Sequence, residues 1–257
     1  MSQIAERFKR LKKEGRKAFI PYITAGYPSY EKTKEFINIL EDCGADIIEI
    51  GVPFTDPVAD GPVIQRAVEQ ALQGGMTLRR TISLVSEIRK HTSIPIVLMT
   101  YYNPVFKYRE EFFIRDAKEA GVDGIIVPDL PPDEAGNLIR LSRSKGIDTI
   151  FMLAPTSTPD RIKLVAKRSR GFIYYVSITG ITGARLEIDP RVREAIEMIK
   201  GSCPTPVCVG FGVSTPEEAK EVASISDGVI VGSAIVKRLL GDTSSLRAYL
   251  RALREAI

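Results

Sequence analysis

Eight short apolar runs recur along the chain, each followed by a longer stretch of helical period, and this alternation leaves few folds open. The runs lie at 18–24, 46–52, 95–101, 124–127, 149–153, 172–177, 206–209 and 228–231. Strands that read as nearly continuous apolar stretches are covered on both faces, and alternation with helices gives a parallel sheet. The intervening segments carry recognisable helix starts. Thr158-Pro159-Asp160, Asp189-Pro190 and Thr215-Pro216-Glu217-Glu218 each place a capping side chain before a proline at the first helical position. Several helices end on glycine and re-enter a strand through one phrase: Cys43-Gly44-Ala45-Asp46, Ala120-Gly121-Val122-Asp123 and Lys145-Gly146-Ile147-Asp148.

Eight such units in 257 residues predict an α/β fold, a (β/α)8 barrel of the TIM type. A doubly wound open sheet is the alternative, but eight evenly spaced strands close more naturally than they stay open. No linker-like or low-complexity tract divides the chain, so one domain is expected over 1–257. Ile4, Phe8 and Leu11 recur at helical spacing and predict an extra N-terminal helix that covers part of the core.

In such a barrel the chemistry belongs at the C-terminal strand ends and the loops that follow them. Glu49 stands near the end of the second run, among Ile47, Ile48, Ile50 and Val52. Burial there raises a carboxyl pKa and lets the group exchange protons near neutral pH; a structural glutamate, paired with an arginine or hydrogen-bonded to backbone, is the alternative. Asp60 closes the proline-rich loop after the same strand. It either caps the helix that begins after Asp60-Gly61-Pro62 or faces the same substrate as Glu49.

Gly210-Phe211-Gly212 follows the seventh run and Gly232-Ser233 the eighth, where barrels of this kind commonly hold a phosphate on backbone N–H groups. Thr179-Gly180-Ile181-Thr182-Gly183-Ala184-Arg185 follows the sixth, whose end carries Tyr175, and suits a lid. The only histidine, His91, falls before the third strand, on the side away from the mouth, which disfavours a histidine-bound metal. No lysine lies in a strand or at its immediate end; Lys107, in the loop after the third, is the nearest, so a Schiff-base aldolase is not indicated. Neither a dinucleotide fingerprint nor a P-loop occurs. Metal-free acid-base chemistry on a small phosphorylated substrate remains.

A net charge of +4, concentrated in the first seventeen residues, is too small and local to indicate nucleic acid. No apolar run approaches the length of a membrane span, and the N-terminus lacks a signal peptide's apolar region. Three cysteines at unrelated spacings fit a reduced, cytoplasmic protein.

The stretch IEIGVPFTDPVADGP at 48–62 resembles the signature of the tryptophan synthase α subunit family. So do IPYITAGYP at 20–28, LMTYYNPVF at 98–106, VPDLPPDE at 127–134, TGITGAR at 179–185, VGFGVSTPE at 209–217 and VGSAIVK at 231–237, in order and spacing. The resemblance implies retro-aldol cleavage of indole-3-glycerol phosphate to indole and glyceraldehyde 3-phosphate. Glu49 would then be the acid-base group, and Asp60 would accept the indole N–H and balance positive charge on the ring. It further implies a phosphate site on Gly183, Gly212, Gly232 and Ser233 with Phe211 beside it. Indole would pack against Tyr22, Ile126, Pro128, Tyr175 and Phe211, with Thr182 on the lid. A β subunit would be met by Asp56, Pro57, Asn103, Pro104 and Phe106, in an α2β2 assembly whose pyridoxal phosphate belongs to the partner; no cofactor is implied for this chain. Thr55, Ile181 and Tyr22 depart from the family's commoner residues while keeping shape or hydroxyl character. Another metal-free phosphate-binding barrel, such as a sugar-phosphate isomerase, and a noncatalytic activator of another enzyme are the competing readings.

Overall fold

A computed structural model describes residues 1–57, 60–176, 188–210 and 212–257. Its nine strands are β1 (Ala18–Thr24), β2 (Ile48–Gly51), β3 (Ile96–Met99), β4 (Gly124–Ile126), β5 (Asp148–Ile150), β6 (Met152–Leu153), β7 (Ile173–Val176), β8 (Val207–Gly210) and β9 (Gly228–Val231). They form one sheet in the order β5-β4-β3-β2-β1-β9-β8-β7-β6, and every pairing is parallel. The two ends of that order are consecutive in the chain, separated by Phe151 alone, so the sheet closes on itself. The run expected at 149–153 is therefore two strands of one barrel stave. Strand stagger lets its first half reach β4 and its last two residues reach β7.

Among the described residues the helices are α1 (Gln3–Lys13), α2 (Tyr30–Asp42), α3 (Pro62–Gln73), α4 (Leu78–Ile88), α5 (Tyr102–Tyr108), α6 (Glu110–Ala120), α7 (Gly136–Lys145), α8 (Pro159–Arg168), α9 (Pro190–Ser202), α10 (Pro216–Ile225), α11 (Ser233–Val236) and α12 (Thr243–Ala256). The expected starts hold. Thr158 and Asp189 accept first-turn N–H groups, and Thr215 forms a capping box with Glu218. Gly121 and Gly146 end α6 and α7 in the left-handed region, φ 93° and 71°, where a side chain is disfavoured.

Period-two alternation splits the strand residues between two cores. Ala18, Ile20, Ile47, Val97, Ile126, Ile150, Phe172, Cys208 and Ile230 face inward and pack with Ile4, Phe8 and Leu11. Helix α1 thus plugs the bottom of the barrel, with the Phe8 and Phe172 rings 6.1 Å apart. The alternate residues, such as Phe19, Ile48, Ile50, Leu98 and Ile125, join the apolar faces of the outer helices.

The recurring Asp of the re-entry phrase stitches this lower rim. Asp46 accepts the Phe19 N–H at 2.9 Å and pairs with Arg254 at 2.9 Å; Asp123 accepts the Ile96 N–H at 2.9 Å and pairs with Arg89. Each carboxylate ties the start of one strand to that of its predecessor, at the end opposite the mouth. Removing one partner of such a buried pair typically costs about 3–5 kcal/mol, so these acids hold the fold rather than do chemistry.

Candidate active site

Glu49 projects into the barrel from β2, level with Tyr22 on β1 and Val97 on β3. It is 1% exposed, and neither carboxyl oxygen has a hydrogen-bond partner among the described residues. Among the described residues no arginine and no backbone amide satisfies it, so the structural alternative finds no support there. Burial, reinforced by the charge of Asp60, pushes its pKa up to about 8.

Asp60 does not cap α3. The N-cap is Gly61, with no side-chain bond to the first turn. The loop is held instead by Asp60 N–H donating to Pro57 O at 3.2 Å and by Gln65 Nε2 donating to Asp60 O at 2.9 Å. The Asp60 carboxylate is hydrogen-bonded to the Tyr101 hydroxyl; burial raises its pKa to about 6 against the lowering by that bond. Tyr101 is steadied by Phe54, ring centroids 5.4 Å apart. Asp60 lies near enough for its charge to act on Glu49, and at pH 7 these values favour the protonated form of Glu49 and the ionised form of Asp60.

Folding raises the Glu49 pKa from 4.5 to about 8, so the folded chain binds this proton more tightly than the unfolded chain. The contribution is complete below about pH 4.5 and is lost as pH climbs through 8; each displaced unit is worth about 1.4 kcal/mol. The Tm of Glu49→Gln, measured by calorimetry from about pH 5 to about pH 9, is expected to gain on wild type as pH rises. Parallel Tm curves would show that Glu49 is not desolvated.

Tyr22 is buried, its hydroxyl 3.3 Å from Thr24 Oγ1. Gly51 makes room for it, since a Cβ built there would lie 2.0 Å from the Tyr22 oxygen. Ile126 also faces inward and is fully buried, and Pro128 stands half-buried beyond the end of β4. Tyr175 is a correction. It points outward into the core between sheet and helices, and the neighbour that enters the barrel is Tyr174, whose hydroxyl feels Glu49, Tyr22, Cys208 and Asp60. Two adjacent tyrosines in an apolar strand give no sequence signal for which one faces in.

Gly232 follows β9 as N-cap of α11, packed 3.6 Å (from an ideal Cβ) against the Tyr22 side chain, and Ser233 is exposed beside it. Gly212 is exposed with φ 66°. Thr182, Gly183 and Phe211 lie outside the described residues. Asp56 is exposed and accepts the Thr55 hydroxyl at 2.7 Å, with Pro57 half-buried next to it. The segment after β3, expected as a loop, is helix α5. Asp129 accepts the Tyr102 N–H at 2.9 Å and so caps it from another strand end, a partner no local pattern reveals. Asn103, Pro104 and Phe106 lie on α5, with Phe106 66% exposed.

His91 is exposed between α4 and β3, away from the mouth. Among the described residues no group of three or more His, Cys, Asp or Glu side chains is placed to hold a metal ion, and no helix is long and apolar enough to cross a membrane. A cavity of about 370 Å³ lies at the opposite end of the barrel, between α1 and the start of β8, lined by Phe8, Lys12, Lys200 and Asp227. It contains neither shifted acid, and the chemistry sits at the mouth.

Fold and site together define a parallel (β/α)8 barrel whose mouth carries a buried glutamate with a raised pKa and an aspartate near it. The family model for the tryptophan synthase alpha chain matches residues 8–256. The chain is 49% identical over 237 residues to the tryptophan synthase alpha chain of Geobacter sp. (strain M21), covering 92% of this chain and 89% of that one. It is 47% identical to that of Geobacter sulfurreducens, covering 100% and 99%. The crystal structure of tryptophan synthase subunit alpha from Legionella pneumophila superposes with a TM-score of 0.93 at 37% identity, over 100% of this chain and 98% of that one. The chain belongs to the tryptophan synthase alpha chain family.

Proposed function

We propose that this chain cleaves indole-3-glycerol phosphate to indole and glyceraldehyde 3-phosphate and hands the indole to a β subunit. The observation that carries the reading is the desolvated, inward-facing Glu49 beside an ionised Asp60 at the barrel mouth.

The proton inventory closes with these two groups. Neutral Glu49 gives its proton to the ring carbon that bears the glycerol chain. Asp60 accepts the indole N–H and balances the positive charge that then spreads over the ring. The side-chain hydroxyl next returns a proton to the Glu49 carboxylate, its O–H electrons become the carbonyl, and the carbon–carbon electrons restore the aromatic ring. Glu49 ends protonated, as it began.

Backbone amides of Gly183, Gly212, Gly232 and Ser233, with Phe211 beside them, hold the phosphate, and Tyr22, Ile126 and Pro128 border the indole; Thr182 belongs to the lid. Asp56, Pro57, Asn103, Pro104 and Phe106 meet the β subunit in an α2β2 assembly. Phe106 suits that role, since it is a large exposed apolar side chain on the mouth side. The chain acts as one domain in the cytoplasm without a cofactor of its own, pyridoxal phosphate belonging to the partner.

Indole release by the purified chain from indole-3-glycerol phosphate, alone and with a β subunit, tests the reading. Slow release, accelerated by more than about tenfold when the partner is added, is expected. No indole in either mixture would overturn it.

A further inference from the structure

The Tyr22 hydroxyl has a place of its own in the barrel. Tyr22 pairs with Glu49 and Thr24 with Gly51 in the β1–β2 register, so Thr24 stands one inward-facing step closer to the mouth than the acid. The Tyr22 oxygen occupies the space a side chain at Gly51 would fill. It therefore lies at the level just above Glu49, on the mouth side of the acid. Thr24, fully buried, holds it at 3.3 Å.

Two hydroxyls carry two O–H donors, and the bond between them uses one. The second remains for another acceptor, and the Tyr22 hydroxyl lies near Glu49, Asp60, Tyr101 and Tyr174. A ring needed only to pack against indole requires no such group. We propose that the Tyr22–Thr24 hydroxyl pair is a hydrogen-bonding subsite for a hydroxyl of the substrate's three-carbon chain. On this assignment Tyr22 discriminates polyol-bearing indole phosphates from those lacking hydroxyls. The inference rests on the proposed cleavage of indole-3-glycerol phosphate and deepens it.

A site built to pair a substrate hydroxyl rejects analogues that lack it, because its own polar groups are then left unpaired. Tyr22→Phe removes the oxygen and keeps the ring. The expected result is a fall in kcat/KM for indole-3-glycerol phosphate of about tenfold, with the Kd for 3-indolylpropyl phosphate, which has the ring and phosphate but no hydroxyls, unchanged or tighter. Thr24→Val, which frees the phenol from its anchor, is expected to show the same selective loss, and circular dichroism melting of both variants checks folding.

Equal weakening of both ligands would assign Tyr22 to packing alone and overturn the inference. So would a Tyr22→Phe protein as fast as wild type. Failure of the wild type to bind either ligand would overturn the functional reading itself, a separate outcome. The readout therefore distinguishes loss of a hydroxyl contact from loss of the site.

Discussion

Replacing Glu49 with glutamine is expected to leave a folded barrel that releases indole at least about 10³ times more slowly than wild type. Glutamine matches glutamate in shape and fills the same buried position between Tyr22 and Val97, yet it has no proton to give to carbon. The ring carbon is a weak base, so the step depends on an acid held where water is excluded. The folded chain keeps Glu49 neutral at pH 7 while the unfolded chain ionises it, so the variant, uncharged in both states, is expected to melt at or above wild type. Loss of activity without loss of Tm isolates the proton from the fold. A Glu49→Gln protein with more than about a tenth of wild-type kcat would assign the acid role elsewhere.

Asp60→Asn has the second largest expected effect, a fall in kcat of about 10². The amide oxygen still accepts the indole N–H but carries no charge to offset the positive ring. The amide also leaves Tyr101 with a weaker acceptor, which loosens the loop that Phe54 and Gln65 hold in place. Substrate affinity should change less than turnover, because the missing interaction grows as charge develops. Steady-state kcat and KM, measured together, check the split; a rise in KM with unchanged kcat would make Asp60 a binding residue only.

Most of the barrel was legible because strands and helices advertise themselves locally. Proline after a capping residue marked α8, α9 and α10, and Gly-X-Asp marked the returns into the sheet. Glu49 was legible for the same reason, as a lone carboxylate in an apolar strand. Features that depend on contacts across the barrel were not. Whether Asp60 caps α3 or meets Tyr101 is decided by packing of Phe54 on Tyr101, some fifty residues apart in sequence. The choice of Tyr174 over Tyr175 is set by strand parity in a run where every residue is apolar or aromatic. Helix α5 depends on a cap from Asp129, and the division of the fifth stave depends on barrel stagger.

On the proposed mechanism turnover needs Glu49 protonated and Asp60 ionised at the same time. The pH dependence of kcat/KM for indole-3-glycerol phosphate is the first measurement to make. A bell is expected: activity rising with pH through about 6 as Asp60 ionises and falling through about 8 as Glu49 loses its proton. A profile that stays flat from about pH 5 to about pH 9, with the chain folded throughout, would contradict it.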